Sequence, residues 1–249
     1  MSRKRKVNKT ALVSLLILIL LIAGFSGFYL YVQVKTYPAA EEQLALVYEN
    51  PVLLITEESD LIKVTPDTVN SEQQAIIFYP GGLVAPQAYL YKMGKLAEVL
   101  QTEVYIVKPP FNVAIFSVNA AARIIADSQL EKVWVGGHSL GGIAAARYTA
   151  KNMELVDVLF LFGSYSDRDL IEFQGQVRSV MGLNDQIINR DNYETAKANL
   201  PPQTVIIEKE GLNHSDFGNY GLQDGDSPGI RPNEDVIKDI LSAFEGKIH

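Results

Sequence analysis

Between Ala75 and Ile207, short apolar runs of strand length alternate with segments of helical length. Few architectures accept that order. Strands are expected at Ala75–Tyr79, Glu103–Val107, Lys132–Val135, Val156–Phe162, Gln176–Met181 and Gln203–Ile207. Helices are expected around Ala88–Leu100, Asn112–Ala126, Gly142–Lys151, Asp191–Leu200 and Asn233–Phe244. Several strands are apolar throughout, as burial on two sides demands. The pattern predicts an α/β fold, a mainly parallel sheet with helices on both faces. Ahead of it, Val52–Thr56 and Leu61–Val64 flank the polar turn Glu57-Glu58-Ser59-Asp60, which reads as a hairpin forming an antiparallel edge. In such sheets ligands bind beyond the carboxyl ends of the strands, so candidate site residues are those that follow strands.

Gly137-His138-Ser139-Leu140-Gly141 is the clearest of these. It follows the apolar run Val133-Trp134-Val135 and leads into the small-residue segment Gly142–Arg147. A serine on a sharp strand-to-helix turn presents its hydroxyl as an exposed nucleophile. Glycines beside it accept unusual backbone angles and let neighbouring elements approach closely. Two further residues follow later strands: Asp185, in Met181-Gly182-Leu183-Asn184-Asp185, and His214, in Gly211-Leu212-Asn213-His214. In a serine mechanism the imidazole takes and returns the proton, and the carboxylate fixes its tautomer. Negative charge on the reacting carbonyl needs main-chain donors. Gly81-Gly82-Leu83 follows the Phe78-Tyr79 strand. The N–H of Leu83, or of Gly82 as the alternative, is expected to act with that of Leu140. Asp167, Asp216 and Asp224 are rival acids, and His138 is a rival base that should point elsewhere from a sharp turn. Asp157, inside an apolar strand, is expected to cap or pair there.

The N-terminus constrains placement. An apolar run from Ala11 to Val32 follows the basic residues Arg3, Lys4, Arg5, Lys6 and Lys9, and it ends in the aromatics Phe28, Tyr29 and Tyr31. It is long enough to cross a hydrocarbon core of roughly 30 Å as a helix. Residues 1–9 then form a basic cytoplasmic tail, 10–32 a transmembrane helix, 33–50 a juxtamembrane segment, and 51–249 the catalytic domain, outside the cytoplasm. A signal peptide cut near Ala23-Gly24 or Ser26-Gly27 is the competing reading, but the run exceeds the roughly 7–15 residues of a signal core. Cysteine is absent, which excludes disulfides and a lipid-modified thiol.

The whole chain carries −7, yet residues 1–35 hold six basic and no acidic side chains. The remainder has 29 acidic groups against 16 basic ones, and a body so acidic repels phosphate backbones; nucleic acid is not an expected partner. His214, Asp216, Asp224 and Asp226 match neither zinc-pair nor calcium-loop spacing, so no metal is expected. No glycine-rich dinucleotide pattern follows a strand, so no redox cofactor is expected either.

The chain resembles the α/β-hydrolase fold, and within it a group of small, membrane-attached bacterial members. The resemblance spans Pro51 to Phe244. It is carried by Phe78-Tyr79-Pro80-Gly81-Gly82-Leu83-Val84, by Gly136-Gly137-His138-Ser139-Leu140-Gly141-Gly142, and by Asn213-His214-Ser215-Asp216-Phe217-Gly218-Asn219-Tyr220-Gly221 with Gln223, Gly225 and Asp226. The chain order Ser, Asp, His is that of this family. The resemblance implies Ser139 as nucleophile, Asp185 as acid and His214 as base, with Leu83 and Leu140 at the oxyanion hole. Only residues 163–175 separate two strands where a cap is often inserted, so a minimal cap and an open pocket are expected, walled by the Phe217–Gly229 loop. The expected activity is cleavage of a carboxylic ester, small or of the cell envelope. Amide or thioester cleavage and a non-catalytic surface module are the alternatives.

Overall fold

The computed structural model describes residues 9–70 and 73–244; Arg3, Lys4, Arg5 and Lys6 lie outside the described residues. The chain divides into two compact units between Thr36 and Tyr37. The first contains helix α1 (Lys9–Lys35), whose 27 residues give a rod of about 40 Å. It is long and apolar enough to cross a membrane.

The second unit is built on one eight-stranded sheet. Its strands are β1 (Leu53–Glu57), β2 (Leu61–Pro66), β3 (Gln74–Tyr79), β4 (Glu103–Val107), β5 (Lys132–His138), β6 (Val158–Phe162), β7 (Gln176–Gly182) and β8 (Val205–Lys209). Their order is β1-β2-β4-β3-β5-β6-β7-β8. The β1–β2 hairpin is antiparallel, as is the β2–β4 pair, and every pairing from β4 to β8 is parallel. The helices of this unit are α2 (Glu41–Tyr48), α3 (Leu90–Leu100), α4 (Ala120–Ser128), α5 (Leu140–Lys151), α6 (Arg190–Ala196) and α7 (Asn233–Ser242).

Strand β3 explains why both faces must be covered. All six of its side chains are buried. Ile76 and Phe78 join Leu90, Met93 and Leu96 of α3, Val47 of α2 and Ile240 of α7. Ala75, Ile77 and Tyr79 join Ala144, Ala145 and Tyr148 of α5 and Ile124 of α4 on the opposite face. Each fully buried Ile or Phe contributes about 1.5–3 kcal/mol, so a solvent-facing side for this strand would be expensive. Trp134 stacks on Phe244 at 5.3 Å, extending the first core beneath α7.

Several elements differ in extent from the sequence expectation, three of them with a visible local cause or consequence. The helix expected at Asn112–Ala126 begins only at Ala120, after two short 3-10 turns. Phe111 (φ 59°) and Asn112 (φ 53°) adopt left-handed backbone there, and the Asn112 carbonyl accepts the Leu83 N–H at 2.8 Å instead of a helical partner. The last strand starts at Val205, because Thr204 closes a turn onto the Pro201 carbonyl. The stretch 33–50 contains α2, whose buried Val47 packs into the first core.

Candidate active site

Ser139 sits at the carboxyl end of β5 with φ 53° and ψ −123°, a backbone conformation that a side-chain-bearing residue holds only under constraint. The constraint is visible in its partners. The Ser139 N–H donates to the Phe162 carbonyl at 3.0 Å, and its carbonyl accepts the Gly142 N–H at 3.0 Å and the Ser164 hydroxyl at 2.7 Å. The strain lies at the serine itself, and the glycines on either side serve close approach. A Cβ on Gly137 would meet the Tyr79 carbonyl oxygen at 2.4 Å, and one on Gly141 would meet the same oxygen at 2.0 Å. Strand β3 therefore presses directly against the turn.

His214 follows β8 and Asp185 follows β7, and the two strands pair in parallel up to Gly182–Lys209. That pairing brings the side chains together: His214 Nδ1 lies 2.7 Å from Asp185 Oδ2, both buried. Asp185 Oδ1 accepts the N–H groups of Ile187 and Ile188, each at 2.9 Å. An ionised carboxylate only accepts, so Nδ1 of His214 carries the proton and Nε2 is left as an acceptor. On the serine side, a Cβ at Gly163 (φ 48°) would lie 3.3 Å from His214 Nδ1. Gly163 directly follows Phe162, whose carbonyl holds the Ser139 N–H. The His214 and His138 rings are 4.4 Å apart. The imidazole of His214 thus stands beside the serine turn.

His138 faces inward. Its Nδ1 is 2.9 Å from the Tyr89 hydroxyl, which also accepts the Gly81 N–H at 3.0 Å. The hydroxyl has one proton and two lone pairs, so it bridges the Gly81 N–H and the His138 ring with either tautomer of the imidazole. Burial holds the His138 imidazole well below its ordinary 6.5, and the neighbouring His214 adds to the depression. It is a neutral strut and has no path to act as a base.

The carboxylates of Asp167 and Asp216 are engaged elsewhere, and Asp224 is exposed. Asp167 forms a two-pronged ion pair with Arg147, at 2.6 and 2.9 Å. Asp216 accepts the Asn213 N–H at 3.0 Å. Burial raises its carboxyl, with Lys92 pulling the other way. The Asp224 N–H donates to the Tyr37 hydroxyl. Asp157 caps the start of β5 by accepting the Val133 N–H at 2.7 Å.

At the Gly-Gly turn, the Leu83 N–H does not face the serine. It donates to Asn112, with Leu83 at φ 56°. Gly82 is the residue opposite Leu140: a Cβ there would sit 3.1 Å from Leu140 Cδ2. Among the described residues, the N–H groups of Gly82 and Leu140 donate to no protein acceptor. The left-handed turn at Asn112, which captures the Leu83 N–H, leaves no mark in local sequence. Between β6 and β7, residues 163–175 contain no helix, so no lid is built there.

Residues 75–238 match the family model described as the alpha/beta hydrolase family. Well over half of the chain is matched, and the protein belongs to that family. No curated protein matches the chain. Among solved structures, it is similar to a membrane phospholipase A described as a bacterial virulence factor, with TM-score 0.61 and 12% identity, covering 96% of this chain and 99% of that one. It is also similar to carboxyl esterase 2 of the fungus Tuber melanosporum, with TM-score 0.60, 13% identity and coverage of 86% and 91%. A third is the carboxylesterase CesB of Bacillus subtilis, with TM-score 0.56, 12% identity and coverage of 83% and 95%. At these identities the likeness is one of fold.

Proposed function

We propose that this alpha/beta hydrolase is a serine hydrolase that cleaves a carboxylic ester through an acyl-enzyme. The Ser139 hydroxyl attacks the acyl carbonyl while His214 Nε2 takes its proton. The tetrahedral oxyanion is held by the N–H groups of Leu140 and Gly82, each worth about 3–4 kcal/mol. Collapse expels the alcohol, which receives the proton from His214, and water then repeats the sequence to release the acid. Asp185 keeps the imidazole in the tautomer with its proton on Nδ1. The observation that carries the reading is the 2.7 Å contact of His214 with Asp185 beside a serine held at φ 53°.

The absence of a helix over residues 163–175 favours an open site and a modest acyl group over a long buried chain. Carboxylic esters come first; thioesters and amides use the same machinery. The structural neighbour named as a membrane phospholipase A adds lipid esters to the candidates. Helix α1 anchors the protein, and the basic residues before it keep the N-terminus in the cytoplasm with the hydrolase domain outside.

A fluorophosphonate probe tests the chemistry. Ser139 is labelled in the intact protein and Ser139→Ala is not; a folded protein that resists labelling defeats the reading and leaves a non-catalytic scaffold. External protease on intact cells tests the topology, and a protected domain reverses it.

A further inference from the structure

Asp226 lies in the exposed strap 221–229, yet its carboxylate accepts four hydrogen bonds. Oδ1 accepts the N–H of Gln186 at 3.2 Å and of Ser227 at 3.0 Å. Oδ2 accepts both the N–H and the hydroxyl of Ser215, at 2.9 and 2.8 Å. Gln186 is the residue after Asp185, and Ser215 is the residue after His214. The adjacent Ser227 completes the pattern from the other side. Its hydroxyl donates to the carbonyl of Asn184, and its carbonyl accepts the Asn213 side-chain amide at 2.6 Å. One dipeptide therefore grips the residues before and after both members of the Asp185–His214 pair.

The strap has little apolar packing to offer in place of these contacts. Leu222 and Ile230 at its ends are 51% and 76% exposed. Gly225 at φ 89° gives the turn that swings Asp226 back toward the two loops. Hydrogen bonds to a charged acceptor are roughly twice as strong as those between neutral groups. Three of the four reach the two loops, and they reinforce the bonds from the Asn184 N–H to the Leu212 carbonyl and from the Gly211 N–H to Asn184 Oδ1 that join those loops directly.

We propose that Asp226 is a positioning residue, whose carboxylate clamps the acid-bearing and histidine-bearing loops and so sets the contact of Asp185 with His214. The inference rests on the serine-hydrolase reading for its catalytic consequence. Its structural consequence stands independently. Asparagine keeps the size of the side chain but offers one acceptor oxygen, so the Ser215 or the Gln186 side of the clamp opens.

The test uses the full-length protein in detergent, comparing wild type with Asp226→Asn and Ser215→Ala. The first readout is the downfield proton-NMR resonance of the His214 Nδ1–H, assigned by its loss in His214→Ala. The second is kcat, KM and the pH profile on a short activated ester. In Asp226→Asn the resonance moves upfield or broadens. There kcat falls about 10- to 100-fold, the loss typical when a hydrogen-bond partner that orients a metal ligand is removed, carried here to the partner of a base, while KM stays within about twofold. The acidic limb of kcat/KM moves with the resonance. Ser215→Ala removes one clamp bond without changing charge, and gives smaller shifts of the same sign. It also serves if Asp226→Asn does not fold. Wild-type resonance and wild-type limb in the folded variants overturn the proposal, as does a kcat loss that vanishes when rates are divided by the fraction of folded protein. A wild-type protein that shows the resonance and its response to Asp226→Asn, yet has no esterase activity, retains the clamp and removes the serine-hydrolase reading.

Discussion

The hydroxyl oxygen of Tyr89 stands 2.9 Å from Nδ1 of His138, and through it the ring next to the serine is tied to the Gly81 N–H. Tyr89 and His138 are both fully buried. Tyr89→Phe removes both hydrogen bonds and leaves the Gly81 N–H and His138 Nδ1 without partners, each costing about 1–3 kcal/mol. A lowered denaturant midpoint at unchanged m-value is the expected result. Because Gly81 precedes Gly82, kcat falls as well. A variant with wild-type midpoint and wild-type turnover contradicts this role.

His138 also makes an acid-sensitive fold. Its imidazole is held neutral far below the ordinary 6.5, first by burial and then by His214. Below pH 6.5 the unfolded chain binds a proton that the folded chain refuses, so stability is complete above that pH and falls as pH drops. The slope approaches about 1.4 kcal/mol per pH unit for one such group. Asparagine at this position keeps an acceptor for Tyr89 and cannot titrate in that range. Denaturant unfolding between pH 6.5 and 4.5 is therefore steeper in wild type than in His138→Asn, and parallel curves would refute the assignment.

The strands were legible because double-sided burial writes continuous apolar runs, as in Ile76-Ile77-Phe78-Tyr79. The segment from Phe111 to Asn119 was not. Its apolar residues suit a helix, but two left-handed residues, imposed by the bond from Leu83 to Asn112, break it. Helix α2 shows only one fully buried side chain, Val47, too few to write a helical period. Asp185 and His214 could be named because each follows a strand; their 2.7 Å contact depends on the register of β7 with β8. Asp226 stood in a motif with Ser215, but its bond to the Gln186 N–H, 40 positions away, left no local signal.

The glycines of the serine turn set two forces against each other. Alanine in a helix is favoured over glycine by about 1 kcal/mol. At Gly141 that gain is overwhelmed, because the new Cβ would meet main-chain oxygens of Tyr79 at 2.0 Å and Pro80 at 2.5 Å. Overpacking of this kind costs about 1–3 kcal/mol and more where backbone must move. Gly141→Ala is expected to be strongly destabilised. Gly94→Ala in α3 meets only the flexible end of Leu53, at 2.9 Å, and is expected within about 1 kcal/mol of wild type. Thermal unfolding of the pair decides it: equal shifts would mean that close approach of β3 is not what demands glycine at 141.

Asp185→Asn separates the orientation of His214 from its presence. The amide oxygen can keep the N–H bonds from Ile187 and Ile188 that now reach Oδ1 at 2.9 Å, which leaves the NH2 group facing His214 Nδ1. A donor there forces Nδ1 to become the acceptor and moves the ring proton to Nε2, the atom that receives the serine proton in the proposed mechanism. The fold changes little, but the base is in the wrong tautomer. A fall in kcat of roughly three to four orders is expected at neutral pH. The rate of fluorophosphonate labelling at Ser139 should fall in step, with the thermal midpoint close to wild type. Labelling at the wild-type rate in the folded variant would show that Asp185 does not orient the base, and the carboxylate would have to be sought elsewhere.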